Sequence, residues 1–228
     1  MTSSRFDAVL FDCDGVLVDS EPITNGVLRD MLEERGWVLT PQECMRLFVG
    51  KAVRDEAAII EANTGQPVTD AWLARFRERR NTGLERDLVA IRNAPAAVET
   101  LHAHFDGRIA CASGADLFKV RLQLEKVGLM HWFEGRIFSG HDLPRSKPFP
   151  DVYLAAAAAV GIHPGRCAVV EDTVTGVRAG VAAGATVFGY SPPEAGHDAP
   201  QALRQAGAAM VVADLEHLPR LLAGGWQP

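Results

Sequence analysis

The sequence is poor in the features that would tie it to a membrane, a nucleic acid or a disulfide framework. No apolar run approaches the roughly 20 residues needed to cross a bilayer, which excludes a helical span. In the opening stretch "MTSSRFDAVLFD" a single basic residue precedes a short apolar run that Asp12 cuts off. That is not the layout of a secretory leader, so a cytoplasmic location is expected. Cysteine is scarce, 4 in 228 residues, and Cys13, Cys44, Cys111 and Cys167 form no C-x-x-C pair. Buried thiols are therefore expected rather than disulfides or zinc ligands. Basic residues are outnumbered, 23 Lys and Arg against 29 Asp and Glu, for a net charge of -6. Binding along a nucleic acid needs a basic stripe to neutralise phosphates, and this chain has none. Any anionic ligand must be held locally. What remains, at 47% hydrophobic and 23% charged residues, is the composition of an ordinary soluble globule.

The hydrophobic pattern has two rhythms. "AVLF" at 8 to 11 reads as a strand buried on both faces, and after residue 90 short apolar runs recur at 108–113, 135–140, 166–172, 185–190 and 210–215. Helical stretches fill the gaps: from Asp116, residues Leu117, Val120, Leu124 and Val127 share a face that ends at Gly128, and "DVYLAAAAAVG" ends at Gly161. The Pro- and Gly-rich "YSPPEAGHDAP" reads as a loop before a last helix. Strand and helix alternating in this way predict an α/β fold with a doubly wound parallel sheet. The stretch from about 21 to 90 holds no convincing strand and reads as inserted helices. One of them is marked by a capping box at Thr40-Pro41-Gln42-Glu43, and the helix before it stops at Gly36.

In a doubly wound sheet, ligands bind beyond the carboxyl ends of the strands. Asp12 and Asp14 fall there, and on a continued strand they would project to one side about 6 to 7 Å apart. Asp12 is ionised at neutral pH and needs no base to act as a nucleophile. Its difficulty is repulsion, roughly 8 kcal/mol against a phosphate dianion at 4 Å in an effective dielectric near 20. Cations must offset it. Glu171 and Asp172 close another apolar run and add oxygens suited to Mg²⁺. Lys147 lies in "RSKPFPD", where prolines restrict the backbone. Ser113 and Gly114 precede a helix and offer a hydroxyl and backbone N–H groups to an anion. Taken together these residues describe a phosphate site with a carboxylate nucleophile.

"DCDGVLVDS", "CASG", "SKPFPDVY" and "VVEDTVTGVRAGVAAG" occur in that order. The set resembles the four motifs of haloacid dehalogenase-like phosphohydrolases, in the subgroup that includes beta-phosphoglucomutase and small sugar-phosphate phosphatases. The resemblance implies that Asp12 forms an aspartyl-phosphate, that Asp14 is the general acid and base with its backbone carbonyl on Mg²⁺, and that Ser113, Gly114 and Lys147 bind the phosphoryl group. It also implies that Asp172 ligates Mg²⁺ and that Glu171 does so directly or through water. The helical segment becomes a cap over 18–88, inserted in a core of 1–17 and 89–228. "FVGKAVRDE" resembles the cap specificity loop, with Gly50, Lys51 and Arg54 as substrate contacts. The expected activity is Mg²⁺-dependent hydrolysis of a small phosphorylated metabolite, a sugar or sugar-acid phosphate. The alternatives are a phosphomutase, which in this family usually carries a histidine where this chain has Thr24, and a non-catalytic receiver-type module, against which Asp14 and the insert stand. No nucleic acid or membrane partner is expected, and the sequence leaves oligomeric state open.

Overall fold

The computed structural model describes residues 5–193 and 198–225. Residues 1–4 of the opening stretch and 194–197 of the "YSPPEAGHDAP" loop lie outside them. The chain forms two compact units, one of residues up to Asp19 and from Val89 onward, the other Ser20–Leu88.

Strand β1 (Ala8–Phe11) is buried along its whole length, as a strand covered on both faces must be. Four helices follow and make up the second unit: α1 (Glu21–Glu33), α2 (Pro41–Phe48), α3 (Ala57–Thr64) and α4 (Asp70–Asp87). The first unit resumes with α5 (Ala94–His104), β2 (Ile109–Ser113), α6 (Leu117–Lys126), α7 (Met130–Phe133) and β3 (Ile137–Ser139). It continues through α8 (Asp151–Ala159), β4 (Cys167–Glu171), α9 (Val174–Ala182), β5 (Thr186–Tyr190), α10 (Pro200–Ala206), β6 (Met210–Val212) and α11 (Leu218–Arg220). The helix after the loop is therefore not the last one, since α11 follows β6.

All six strands pair in parallel, in the order β3-β2-β1-β4-β5-β6. Helix α8 lies on this sheet because Ala156 and Ala157 present little bulk, and they share a buried cluster with Leu10, Ala110, Val169 and Val187. The helical unit has its own core of Leu28, Met31, Leu32, Phe48, Ile60, Trp72 and Phe76. The capping box of α2 is complete: the Glu43 N–H donates to Thr40 Oγ1 at 3.2 Å, and the Thr40 N–H donates to Glu43 Oε2 at 2.8 Å. All four cysteines are free and buried, and burial pushes the thiols of Cys44 and Cys167 up to about 11. No helix among the described residues is long and apolar enough to cross a membrane.

The two segments joining the units run side by side. Val18 bridges Ala90 antiparallel, and the Asp19 N–H donates to Val89 O at 3.0 Å. Within α1, a Cβ added at Gly26 meets no atom within 4 Å. Glycine inside a helix costs about 0.5–1 kcal/mol relative to alanine, so Gly26→Ala is expected to stabilise the protein by that amount. The check is a higher urea midpoint at unchanged slope.

Candidate active site

Because every strand is parallel, all carboxyl ends share one edge. The chain winds from β1 outward through β2 to β3, then crosses to β4 on the other side of β1, which makes the gap between β1 and β4 the switch point. The pairing of Phe11 with Val170 places Asp12, one residue past β1, level with Glu171 at the end of β4. The Asp12 N–H donates to Val170 O at 3.0 Å and fixes that level.

Strand geometry does not extend to Asp14, as β1 stops at Phe11. The chain folds back at once: the Leu17 and Val18 N–H groups donate to Cys13 O at 2.9 and 3.1 Å, and the Gly15 N–H to Val18 O at 2.9 Å. Gly15 has a φ of +81°, in the left-handed region that a residue with a Cβ adopts at a cost. It meets a second requirement, since a Cβ there would stand 2.1 Å from Asp172 Oδ2. Glycine at this position makes the turn and leaves room for a carboxylate.

Asp12, Glu171 and Asp172 are buried, and one oxygen from each lies within 4.8 Å of the others. Lys147 Nζ reaches in from the loop before α8, 2.5 Å from Asp12 Oδ1 and 2.6 Å from Glu171 Oε1, with its side chain only 8% exposed. The Tyr153 hydroxyl donates to Glu171 Oε1 at 2.7 Å, and its ring centroid lies 5.0 Å from Lys147 Nζ. Burial pulls the Lys147 ammonium down, but Asp12 and Glu171 outweigh it and hold the group charged well above the usual lysine range. Burial pushes the Asp12 carboxyl well up, with Lys147 opposing and Glu171, Asp172 and Asp14 adding to the rise. Three buried carboxylates thus gather around one ammonium.

A buried cluster of three carboxylates that offers only oxygen ligands suits a hard divalent cation such as Mg²⁺. The space that Gly15 leaves beside Asp172 suits one as well. The donors are not equally available. Glu171 Oε1 already accepts from Lys147 and Tyr153, and Oε2 from the Asp172 N–H, the Thr173 N–H and Thr173 Oγ1 at 3.1, 3.2 and 3.1 Å. Glu171 thus fits an outer position, reaching an ion through water, with Asp12 and Asp172 closer to it. Gly176 enforces this arrangement, because a Cβ there would fall 1.7 Å from Glu171 Oε1 and 2.2 Å from Oε2. Gly176→Ala must displace a carboxylate held by five donors. It is expected to weaken Mg²⁺ binding about 10- to 100-fold, read by calorimetric titration.

Asp14 belongs to a separate centre. Its Oδ1 accepts from Lys119 Nζ and from Gln123 Nε2, both at 2.7 Å. Ser113 is buried at the end of β2, next to β1 in the sheet, and its Oγ accepts from the Ala115 N–H at 3.0 Å. Gly114 follows it, ahead of the α6 cap at Asp116. Gly50, Lys51 and Arg54 lie in the helical unit, where Lys51 pairs with Glu56 at 3.4 Å and Arg54 with Asp70 at 2.6 Å. Both cations are half-exposed and tied to carboxylates of their own unit.

Sequence reasoning missed Lys119, Gln123 and Tyr153. Lys119 and Gln123 are four residues apart and border the apolar stripe of α6, a polar pair sharing a face with residues that had to be buried. That juxtaposition was the available signal. Tyr153 stands inside "SKPFPDVY", and nothing in its spacing sets its depth.

Comparison with known proteins gives a consistent result. The family model for haloacid dehalogenase-like hydrolases matches residues 6–184. The chain is 31% identical over 186 residues to 6-phosphogluconate phosphatase of Escherichia coli (strain K12), covering 81% of this chain and 82% of that protein. It is 29% identical over 182 residues to fructose-1-phosphate phosphatase YqaB of the same organism, covering 79% and 94%. Its structure is similar to that of a HAD family hydrolase from Deinococcus radiodurans R1 determined with bound phosphate and sodium. That likeness has a TM-score of 0.80 and 35% identity, covering 97% of this chain and 100% of that one.

Proposed function

The chain belongs to the haloacid dehalogenase-like hydrolases and is a phosphoric monoester hydrolase, and from that premise we propose that it is a Mg²⁺-dependent phosphatase of sugar or sugar-acid phosphates. The observation that carries the reading is the buried cluster at the switch point, where the candidate nucleophile Asp12, a lysine and two further carboxylates meet. The named substrates of the two similar phosphatases support the substrate class.

In the proposed reaction Asp12 attacks the phosphorus in line with the leaving alcohol, forming an aspartyl-phosphate as the P–O bond to the alcohol breaks. Lys147, already on Asp12 Oδ1, places its ammonium where charge accumulates on the phosphoryl oxygens. Ser113 and the backbone of Gly114 face the same group from the end of β2. Asp14 gives its proton to the leaving oxygen, then takes one from the water that opens the aspartyl-phosphate, so the proton account closes over one cycle. A divalent ion held by Asp12, Asp172 and the Asp14 carbonyl, with Glu171 behind a water, would supply the positive charge that offsets anion-anion repulsion. The helical unit is proposed as the cap, hinged at the paired segments around Asp19 and Val89, with Gly50, Lys51 and Arg54 toward the substrate's non-reacting part. Thr24 favours hydrolysis over isomerisation, because a hydroxyl does not replace the imidazole that mutases carry there.

The test is phosphate release from a panel that includes 6-phosphogluconate, fructose 1-phosphate and hexitol phosphates, with Mg²⁺ and again with excess EDTA. Release that requires the metal and is fastest on the sugar and sugar-acid esters is the expected outcome. A panel on which nothing turns over with Mg²⁺ rules the reading out.

A further inference from the structure

The proposed reaction asks Asp14 to face the leaving oxygen and then a water, so its orientation needs a cause. Asp14 follows the end of β1, in a loop ordered by backbone hydrogen bonds among Cys13, Gly15, Leu17 and Val18, which fix the main chain and not the carboxylate. The cause lies over a hundred residues away. Lys119 Nζ and Gln123 Nε2 converge on the same Asp14 oxygen, each at 2.7 Å. Both side chains are buried on α6, at 6% and 0% exposure. The Cys13 thiol lies 3.6 Å from Gln123 Oε1 and donates to it, which turns the amide so that its N–H₂ faces Asp14.

Burying a lysine and a glutamine beside an apolar helix face is costly unless both are bonded. Here the bonds they make lead to one oxygen of one carboxylate. Lys119 lies one helical turn before Gln123, so α6 presents the two donors as a rigid pair. The Asp116 side chain accepts from the Lys119 N–H at 2.9 Å and fixes the start of that turn. With Oδ1 held from two directions, rotation about the Asp14 side chain is restrained, which sets the direction of Oδ2.

We propose that Lys119 and Gln123 are positioning residues that hold Asp14 Oδ1 and thereby aim Oδ2 at the reacting group. The proposal rests on the phosphatase reading, and its test is chosen to separate the two. The substrate is 4-nitrophenyl phosphate with Mg²⁺. Its leaving group departs without a proton, so a misdirected Asp14 slows only the second half, the attack of water on the aspartyl-phosphate.

Lys119→Met and Gln123→Leu keep shape and remove the donors. Each is expected to lower kcat about 10- to 100-fold with KM within about twofold, and to convert a linear time course into a first-turnover burst of nitrophenol. Lys119→Arg, which retains a donor, should recover part of the rate. If the pair only fills the core, the apolar variants keep kcat within twofold and show no burst, and the inference is overturned. Should Lys119→Met fail to fold by circular dichroism, Gln123→Leu, which removes no charge, carries the same decision. A wild type that releases no nitrophenol defeats the phosphatase reading instead, and an Asp12→Asn variant as fast as wild type defeats the assignment of Asp12 as its nucleophile.

Discussion

Asp12→Asn is expected to reduce phosphate release by on the order of 10⁴-fold or more while leaving the protein at least as stable as before. The loss follows because an amide has no anionic oxygen with which to attack phosphorus, and two of the neighbouring carboxylates are engaged elsewhere. Glu171 is held by five donors, and Asp14 is engaged by Lys119 and Gln123. The retained stability follows from the charge balance. Burial pushes the Asp12 carboxyl well up, so its ionised form is costly in the folded state. An asparagine oxygen still accepts from Lys147, and the cluster holds one carboxylate fewer. Melting in EDTA should therefore show the variant equal to or above wild type, an exchange of stability for function at a catalytic position. A variant retaining most of its turnover would place the nucleophile elsewhere.

Much of this arrangement could be read from the sequence, for physical reasons that differ from residue to residue. The strands were legible because each is apolar along its length, as two-sided burial requires. The parallel, doubly wound sheet followed from strand and helix alternation. The α2 capping box was legible because its two hydrogen bonds lie within four residues. The turn after Asp12 was visible in Gly15, although the reason for glycine was only half visible: the left-handed φ is local, whereas the approach of Asp172 comes from β4. What stayed hidden is long-range. Lys119 meets Asp14 across 105 residues, and Tyr153 meets Glu171 across 18 through a helix and a strand. No local pattern encodes either meeting. The lateral spacing of Asp12 and Asp14 was inferred from strand geometry, but the strand ends at Phe11, and the two carboxylates answer to different lysines.

The two lysines divide the electrostatics of the site. In the proposed reaction Lys119 holds the residue that would move protons, and Lys147 holds the residue that would bond to phosphorus. Lys147 Nζ is shared between Asp12 and Glu171, and Lys119 Nζ bonds Asp14. This separation makes the expected consequences of removing each lysine distinct. Loss of Lys119 misdirects a carboxylate that remains partly exposed to water, at 16% of its side chain.

Loss of Lys147 is more severe, because its partners have no water to fall back on. In Lys147→Met the side chain keeps its length, yet Asp12, Glu171 and Asp172 face one another with three negative charges and no ammonium. Breaking a buried ion pair by removing one partner costs about 3–5 kcal/mol. For a chain of this size that corresponds to a melting temperature lower by on the order of 10 °C in EDTA. Mg²⁺ should restore a larger share of stability to the variant than to wild type, because the carboxylates have lost the ammonium that pairs with Asp12 and Glu171. Activity should not return with stability. The phosphoryl group loses the cation that touches Asp12 Oδ1, so a fall in kcat on the order of 10³-fold is expected even at saturating Mg²⁺. A lysine pointing into solvent would give neither effect, only the roughly 0–1 kcal/mol of an exposed pair. Thermal melts with and without Mg²⁺, run beside the phosphate-release assay, decide between the two: a variant that melts with wild type in EDTA is incompatible with a buried Lys147 bridging Asp12 and Glu171.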